Sequence, residues 1–192
     1  MDLTKEKYDA MMNMLLDRAK HNREKYGYRD AGKFTQCALI IGPKLEQAIS
    51  PLAWKDEREK RAQMHALSKA AEAVAALAVV LITDTRWSDS DKISDYFKLP
   101  PVKEIGIEKW QELYGEVLSR YGGRMENLPR ELWTEAVCII GKGPMIETRL
   151  VSAHYREGPL DTVEWVGDEY GSDEGYMHRF DLLPQWWAGH DD

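Results

Sequence analysis

The chain has few of the features that staple, anchor or mark a known chemistry. It contains two cysteines, Cys37 and Cys138, which rules out a disulfide framework, and no Cys-x-x-Cys that would begin a zinc site. Each lies inside an apolar run, "CALII" and "AVCII", and is expected as a buried free thiol. Long hydrophobic runs are missing as well. The longest, "AVAALAVVLI" at residues 73–82, is far too short to cross a bilayer. The first residues are charged and amphipathic, unlike a secretory signal. The expectation is a soluble, cytoplasmic protein with no membrane contact.

Catalytic and cofactor motifs are equally scarce. No Gly-x-Ser-x-Gly elbow occurs, and local sequence sets no histidine beside a serine or cysteine. The five histidines, His21, His65, His154, His178 and His190, show no ligand spacing. Asp168, Asp173 and Glu174 lack the alternation of a calcium loop. "GKG" at Gly141–Gly143 sits between strand-like runs and reads as a hairpin turn, because a phosphate loop must open a helix. Asp89 and Asp91 stand at a helix start, where capping accounts for them. No metal or cofactor is expected, and no residue is assigned a catalytic role.

What is present suffices for one domain: 192 residues, with apolar and charged shares ordinary for a globular protein. Seven tryptophans and nine tyrosines exceed the needs of a core and hint at recognition. Tyr8, Met11, Met12, Leu15, Leu16 and Ala19 repeat at helical steps and predict a helix over residues 4–26. Residues 34–41 fit a buried helix or a short strand. Gly42-Pro43 offers a helix restart, and Ser50-Pro51 a cap followed by a first helical residue. From there a long helix is expected towards Thr83, with Met64, Leu67, Ala71, Val74, Leu77 and Leu81 as its stripe. "WSDSDKISDYF" predicts a short helix. Residues 107–121 predict another, with Trp110, Leu113, Tyr114, Val117, Leu118 and Tyr121 inward. Trp110, Val117, Leu77, Leu81, Cys138 and Ile140 are expected in one core.

Beyond residue 134 the runs "TEAVCII", "MIETRLVSAHY" and "TVEWV" are β-branched and aromatic. They predict a three-stranded antiparallel meander with its first strand central or covered. The fold class is therefore α+β, with about five helices followed by a small sheet. The acidic, aromatic closing segment, with Trp186 and Trp187, is expected to dock on the body, because exposed paired indoles invite aggregation.

Charge is uneven. Residues 161–192 hold nine acids against Arg179 alone, so this stretch is −8 in a chain of net −7. Glu104, Glu108, Glu112 and Glu116 recur every four residues, and like charges at that spacing repel along a helix. Glu108, Glu112 and Glu116 with Asp168, Glu169, Asp173 and Glu174 form a candidate face for a basic partner. The expected function is a non-enzymatic interaction protein. It would block a basic, nucleic-acid-binding protein much as phage and mobile-element nucleic-acid mimics do, by analogy of charge. A second surface is basic and aromatic: Arg18, Lys20, Arg23, Lys25, Tyr26, Tyr28, Arg29 and Lys33. Cations beside stacking rings suit single-stranded nucleic acid, which makes nucleic-acid binding the alternative. An enzyme with an unrecognised site is the third reading.

Overall fold

The computed structural model describes residues 3–28 and 36–171, without the side chains of Glu57, Glu147 and residues 168–170. The expected docking of Trp186 and Trp187 lies outside the described residues. Thr4 caps helix α1 (Lys5–Tyr26) by accepting from the Lys7 amide, and Gly27 ends it with φ +76°. Strands β1 (Cys37–Ile41) and β2 (Gln47–Pro51) follow, then helix α2 (Glu57–Ala73) and strand β3 (Ala78–Ser88). Helices α3 (Ser90–Phe97), α4 (Val102–Ile105) and α5 (Ile107–Arg120) precede strands β4 (Trp133–Gly143), β5 (Ile146–Glu157) and β6 (Val163–Gly171).

The α+β class is as expected, but the sheet is not a three-stranded meander. It is one six-stranded antiparallel sheet in the order β2-β1-β3-β4-β5-β6. The expected meander is its β4–β6 half, and β4 is central, as its apolar faces required. The other half comes from residues expected to be helical. Gly42-Pro43 starts no helix: the Gly42 and Glu46 backbones bond across a tight turn, and Leu45 takes φ +63°. Ser50 and Pro51 end β2, where an edge strand tolerates a proline that cannot donate. Helix α2 instead begins after Asp56, which accepts from the Glu59 amide at 2.8 Å while the Glu59 carboxylate receives the Lys55 amide at 2.8 Å. It stops at Ala73, short of the expected end near Thr83. Ala75 turns the chain at φ +48°, a left-handed position occupied without glycine. The apolar run that follows is the first part of β3, whose residues 78–81 are buried on both faces of the sheet.

The chain divides into two compact units, one of them the continuous segment Thr85–Ala136 and the other the chain on either side of it. In the larger unit α1 lies on one sheet face. Its Tyr8, Met12, Leu15, Leu16 and Ala19 form a core with Leu39 and Ile41 of β1, Ala78 and Val80 of β3, Val137 and Ile139 of β4, and Val151, Ala153 and Tyr155 of β5. Each fully buried aliphatic or aromatic side chain contributes roughly 1.5–3 kcal/mol. Strand alternation turns Ala38, Ile40, Val79, Leu81, Cys138 and Ile140, all buried, to the opposite face.

The Thr85–Ala136 unit has its own core of Ile93, Trp110, Tyr114, Val117, Leu128, Leu132 and Trp133. Asp89 caps α3 through the Asp91 and Lys92 amides, as read from sequence. The Trp110 indole donates to the Ser94 hydroxyl at 2.8 Å and stacks on Tyr114 at 5.0 Å. Trp110 and Val117 thus belong to this cluster, while Leu81, Cys138 and Ile140 are buried in the sheet and Leu77 is half-buried. The single core expected for these six residues is two.

The approach of α1 to β4 depends on a missing side chain. A Cβ on Gly141 would collide with the Tyr8 hydroxyl and lie 2.8 Å from the ring carbon bearing it. That hydroxyl is buried without a hydrogen-bond partner among the described residues, and its burial holds the Tyr8 pKa well above the usual tyrosine range. Gly141→Ala is therefore expected to lose about 1–3 kcal/mol in urea unfolding through overpacking. Tyr8→Phe should be neutral or stabilising, since it removes an unsatisfied polar group. The double variant should regain part of the Gly141→Ala loss.

Candidate functional site

Helix α1 is about 10–12 Å across with its side chains, whereas six strands about 4.8 Å apart span roughly 24 Å. One helix cannot cover such a sheet. Along its β1–β2 flank a groove of about 260 Å³ remains, lined by residues of α1, β1, β2 and β3. The helix side is a stripe in four-residue steps: Met14, Arg18, Asn22 and Tyr26, with Leu15 and Ala19 below. The floor is Leu39 and Ile82, with Cys37 beside them. The far wall is Gln47 and Ile49, which the period of two sets on one face of β2.

The lining is apolar at its base and mixed at its rim. Met14 is 56 % exposed and Ile49 70 % exposed, so two large apolar side chains stand at the mouth in water. Among the described residues, Arg18 is the one charged residue of the lining. The side chains of Arg18, Asn22 and Gln47 have no hydrogen bond or ion pair with another described residue. Burial pushes the Cys37 thiol above its ordinary pKa, which keeps it protonated and a poor nucleophile near neutrality. Cys138 is in no disulfide and is fully buried, as expected. Cys37 is only half-buried.

The basic segment does not form one surface. Arg18 and Tyr26 both line the groove, while Arg23 points into the protein and is 1 % exposed. Its guanidinium lies 3.4 Å from the Asp84 carboxylate, 3.4 Å from the Tyr28 carbonyl and 4.9 Å from the Tyr155 ring centre. The Tyr155 hydroxyl donates to Asp84 at 2.6 Å, and its ring meets Trp165 edge-on at 5.4 Å. Trp165 in turn donates to the Glu24 carboxylate at 2.7 Å and is covered by Lys20 at 5.0 Å. Tyr28 packs edge-on against Tyr155, and Lys25 lies over the Tyr26 ring at 5.8 Å. Arg23, assigned to a phosphate-binding patch by residue type, is a core cation. Arg29 and Lys33 lie outside the described residues.

Of the acidic set, Glu108, Glu112 and Glu116 are exposed on α5, away from buried Trp110, Tyr114 and Val117. The row is partly neutralised: Lys109 bonds Glu112 at 2.6 Å, and that bond with the surrounding carboxylates raises the lysine's pKa. The Thr85–Ala136 unit holds ten acids and eight bases, so it is far from a single-sign field. The backbones of Asp168 and Glu169 pair with Ala153 and Ser152 in β6, and Asp173 and Glu174 lie outside the described residues.

One contact of catalytic type was missed in sequence. Ser152 and His154 are two apart on β5, hence on one face, and the Ser152 hydroxyl lies 3.3 Å from His154 Nε2. The strand period was the available signal. Ser152 is 0 % exposed and His154 7 % exposed, so the pair is closed to a substrate and satisfies buried polar groups. Among the described residues no group of three or more His, Cys, Asp or Glu is placed to hold a metal ion. No helix among them is long and apolar enough to cross a membrane. The chain matches no family model, no curated protein and no solved structure.

Two cations of α1 are therefore expected to behave oppositely. Asp84→Ala strands the Arg23 charge in the interior and should cost about 3–5 kcal/mol in urea unfolding. Arg18→Gln at the groove rim should change stability by less than about 0.5 kcal/mol.

Proposed function

We propose that the protein is a non-enzymatic binding protein and that the groove beside α1 is its recognition site. The observation that carries this reading is the convergence of exposed apolar side chains and unpartnered polar ones on a single concavity. Met14 and Ile49 stand in water at its mouth, and Arg18, Asn22 and Gln47 line it without partners among the described residues. A few polar groups around an apolar floor are the usual composition of a ligand site. The volume sits near the small end of such sites, which suits a small ligand or one inserted side chain. The test is native mass spectrometry of the full chain from its native source, beside Ile49→Glu. A bound species should accompany the parent and be lost from the variant, with unfolding behaviour unchanged. Equal retention by both would dismiss the groove.

A second reading keeps the acidic face, and the exposure of Glu108, Glu112 and Glu116 on α5 favours it. On this reading the partner is a basic protein, and electrostatics governs its rate of encounter more than its final affinity. Changing Glu112 and Glu116 to glutamine together should slow association at low salt, and added salt should mute the difference, because exposed charges are screened within about 8–10 Å. An unchanged on-rate, or an acidic partner, would end this reading. Nucleic-acid binding through the basic segment is weaker than either, because Arg23 is occupied inside the protein.

A further inference from the structure

We infer that the groove takes a small amphipathic carboxylate, its apolar tail on the Leu39–Ile82 floor and its head at Arg18. The inference rests on the groove being a binding site and adds the chemistry of its occupant. Three features argue for this class. The floor and mouth, Leu15, Ala19, Leu39, Ile82, Met14 and Ile49, are apolar, so most of the occupant must be apolar. Among the described residues the one formal charge in the lining is Arg18, which a head with one negative charge complements. The planar guanidinium matches a carboxylate with two parallel hydrogen bonds, whereas a phosphate dianion would call for further cations. Asn22, one turn along from Arg18, and Gln47 across the groove add amide donors for the remaining oxygen lone pairs.

Size follows from volume. At roughly 30 Å³ per water-sized group, a groove of about 260 Å³ holds roughly eight or nine such groups. Affinity should then rise about three- to fourfold per added methylene along a series of straight-chain carboxylates, the ratio that about 0.8 kcal/mol per buried CH₂ implies. The rise should level off near eight to ten carbons, where the groove is full. Each longer member would leave its added carbons in water.

Cys37 supplies the readout. It lines the groove and is half-buried, while Cys138 is fully buried, so a neutral alkylating agent should label Cys37 alone in the folded full chain at an alkaline pH that forms its thiolate. The probes are hexanoate, octanoate, decanoate and dodecanoate, with octanol, octyl phosphate and octyltrimethylammonium as comparisons. The alkylation rate at Cys37, followed by mass spectrometry, should fall on addition of octanoate or decanoate. Octanol should protect at least about tenfold more weakly, octyl phosphate no better than octanoate, and the cationic probe least. Arg18→Gln should lose about tenfold for octanoate while leaving octanol unchanged, and Arg18→Lys should fall between, because it keeps the charge without the fork. Equal protection by octanoate and octanol would overturn the carboxylate assignment and leave the groove a binding site for neutral apolar ligands. Stronger protection by octyl phosphate would overturn it in favour of a dianion. Protection by none of the probes would overturn both the inference and the groove reading beneath it.

Discussion

The rotation of α1 on the sheet depends on one buried cation. Arg23 enters the core one turn beyond Ala19, and Asp84 from β3, Tyr155 from β5 and the Tyr28 carbonyl surround its head. A buried ion pair contributes little net stability against an apolar replacement, but it penalises every arrangement that leaves the charge alone. Turning the helix by one residue, about 100°, would pull the guanidinium away from all three. The pair therefore acts as a register pin. With Arg23 inward, Lys20 and Glu24 fall on the flank facing Trp165 of β6. Arg18, Asn22 and Tyr26 fall on the flank facing β1 and β2. The groove is the geometric consequence of that choice.

How much of this was legible depends on how each element announces its ends. α1 and α3 carry side-chain caps, α5 stops before Gly122-Gly123, and all three have a 3.6-residue apolar period and fall where the pattern sets them. Strands β4 to β6 are β-branched and separated by Gly and Pro, and they too were readable. Residues 43–88 were not. Helix α2 opens on Asp56 and Glu59, a reciprocal capping pattern, while Ser50-Pro51 upstream offers a stronger-looking start. Its end carries no glycine, because Ala75 takes the left-handed turn itself. The run that follows is apolar at every step, and periodicity cannot separate a strand buried on both faces from a buried helix. That error hid half of the sheet.

The same error hid the site. Arg18 and Tyr26 were singled out by type, as a cation beside a ring, but the groove needs the β1–β2 hairpin as its far wall. Residues 34–41 were ambiguous and Gly42-Pro43 suggested a helix, so Gln47 and Ile49 had no reason to draw notice. Arg23 shows the converse limit. Nothing in "HNREKY" distinguishes a solvated arginine from one whose counter-ion is Asp84, 61 positions along the chain. Burial of a charge is decided by distant partners, and local sequence does not name them.

A groove walled by an edge strand invites the objection that the wall would yield. Strand β2 pairs only with β1 among the described residues, and four of its five residues are exposed. Two bonds counter this. The Gln63 amide donates to the Pro51 carbonyl at 3.0 Å, and its oxygen accepts from the Ala53 amide at 3.2 Å. Gln63 lies on α2, so the helix grips the end of β2, while the Gly42–Glu46 turn closes its beginning. Both ends of the wall are thus held before any ligand arrives. A site formed in advance spends less of its contact energy on ordering, so a ligand in this groove would lose little to the ordering of its wall.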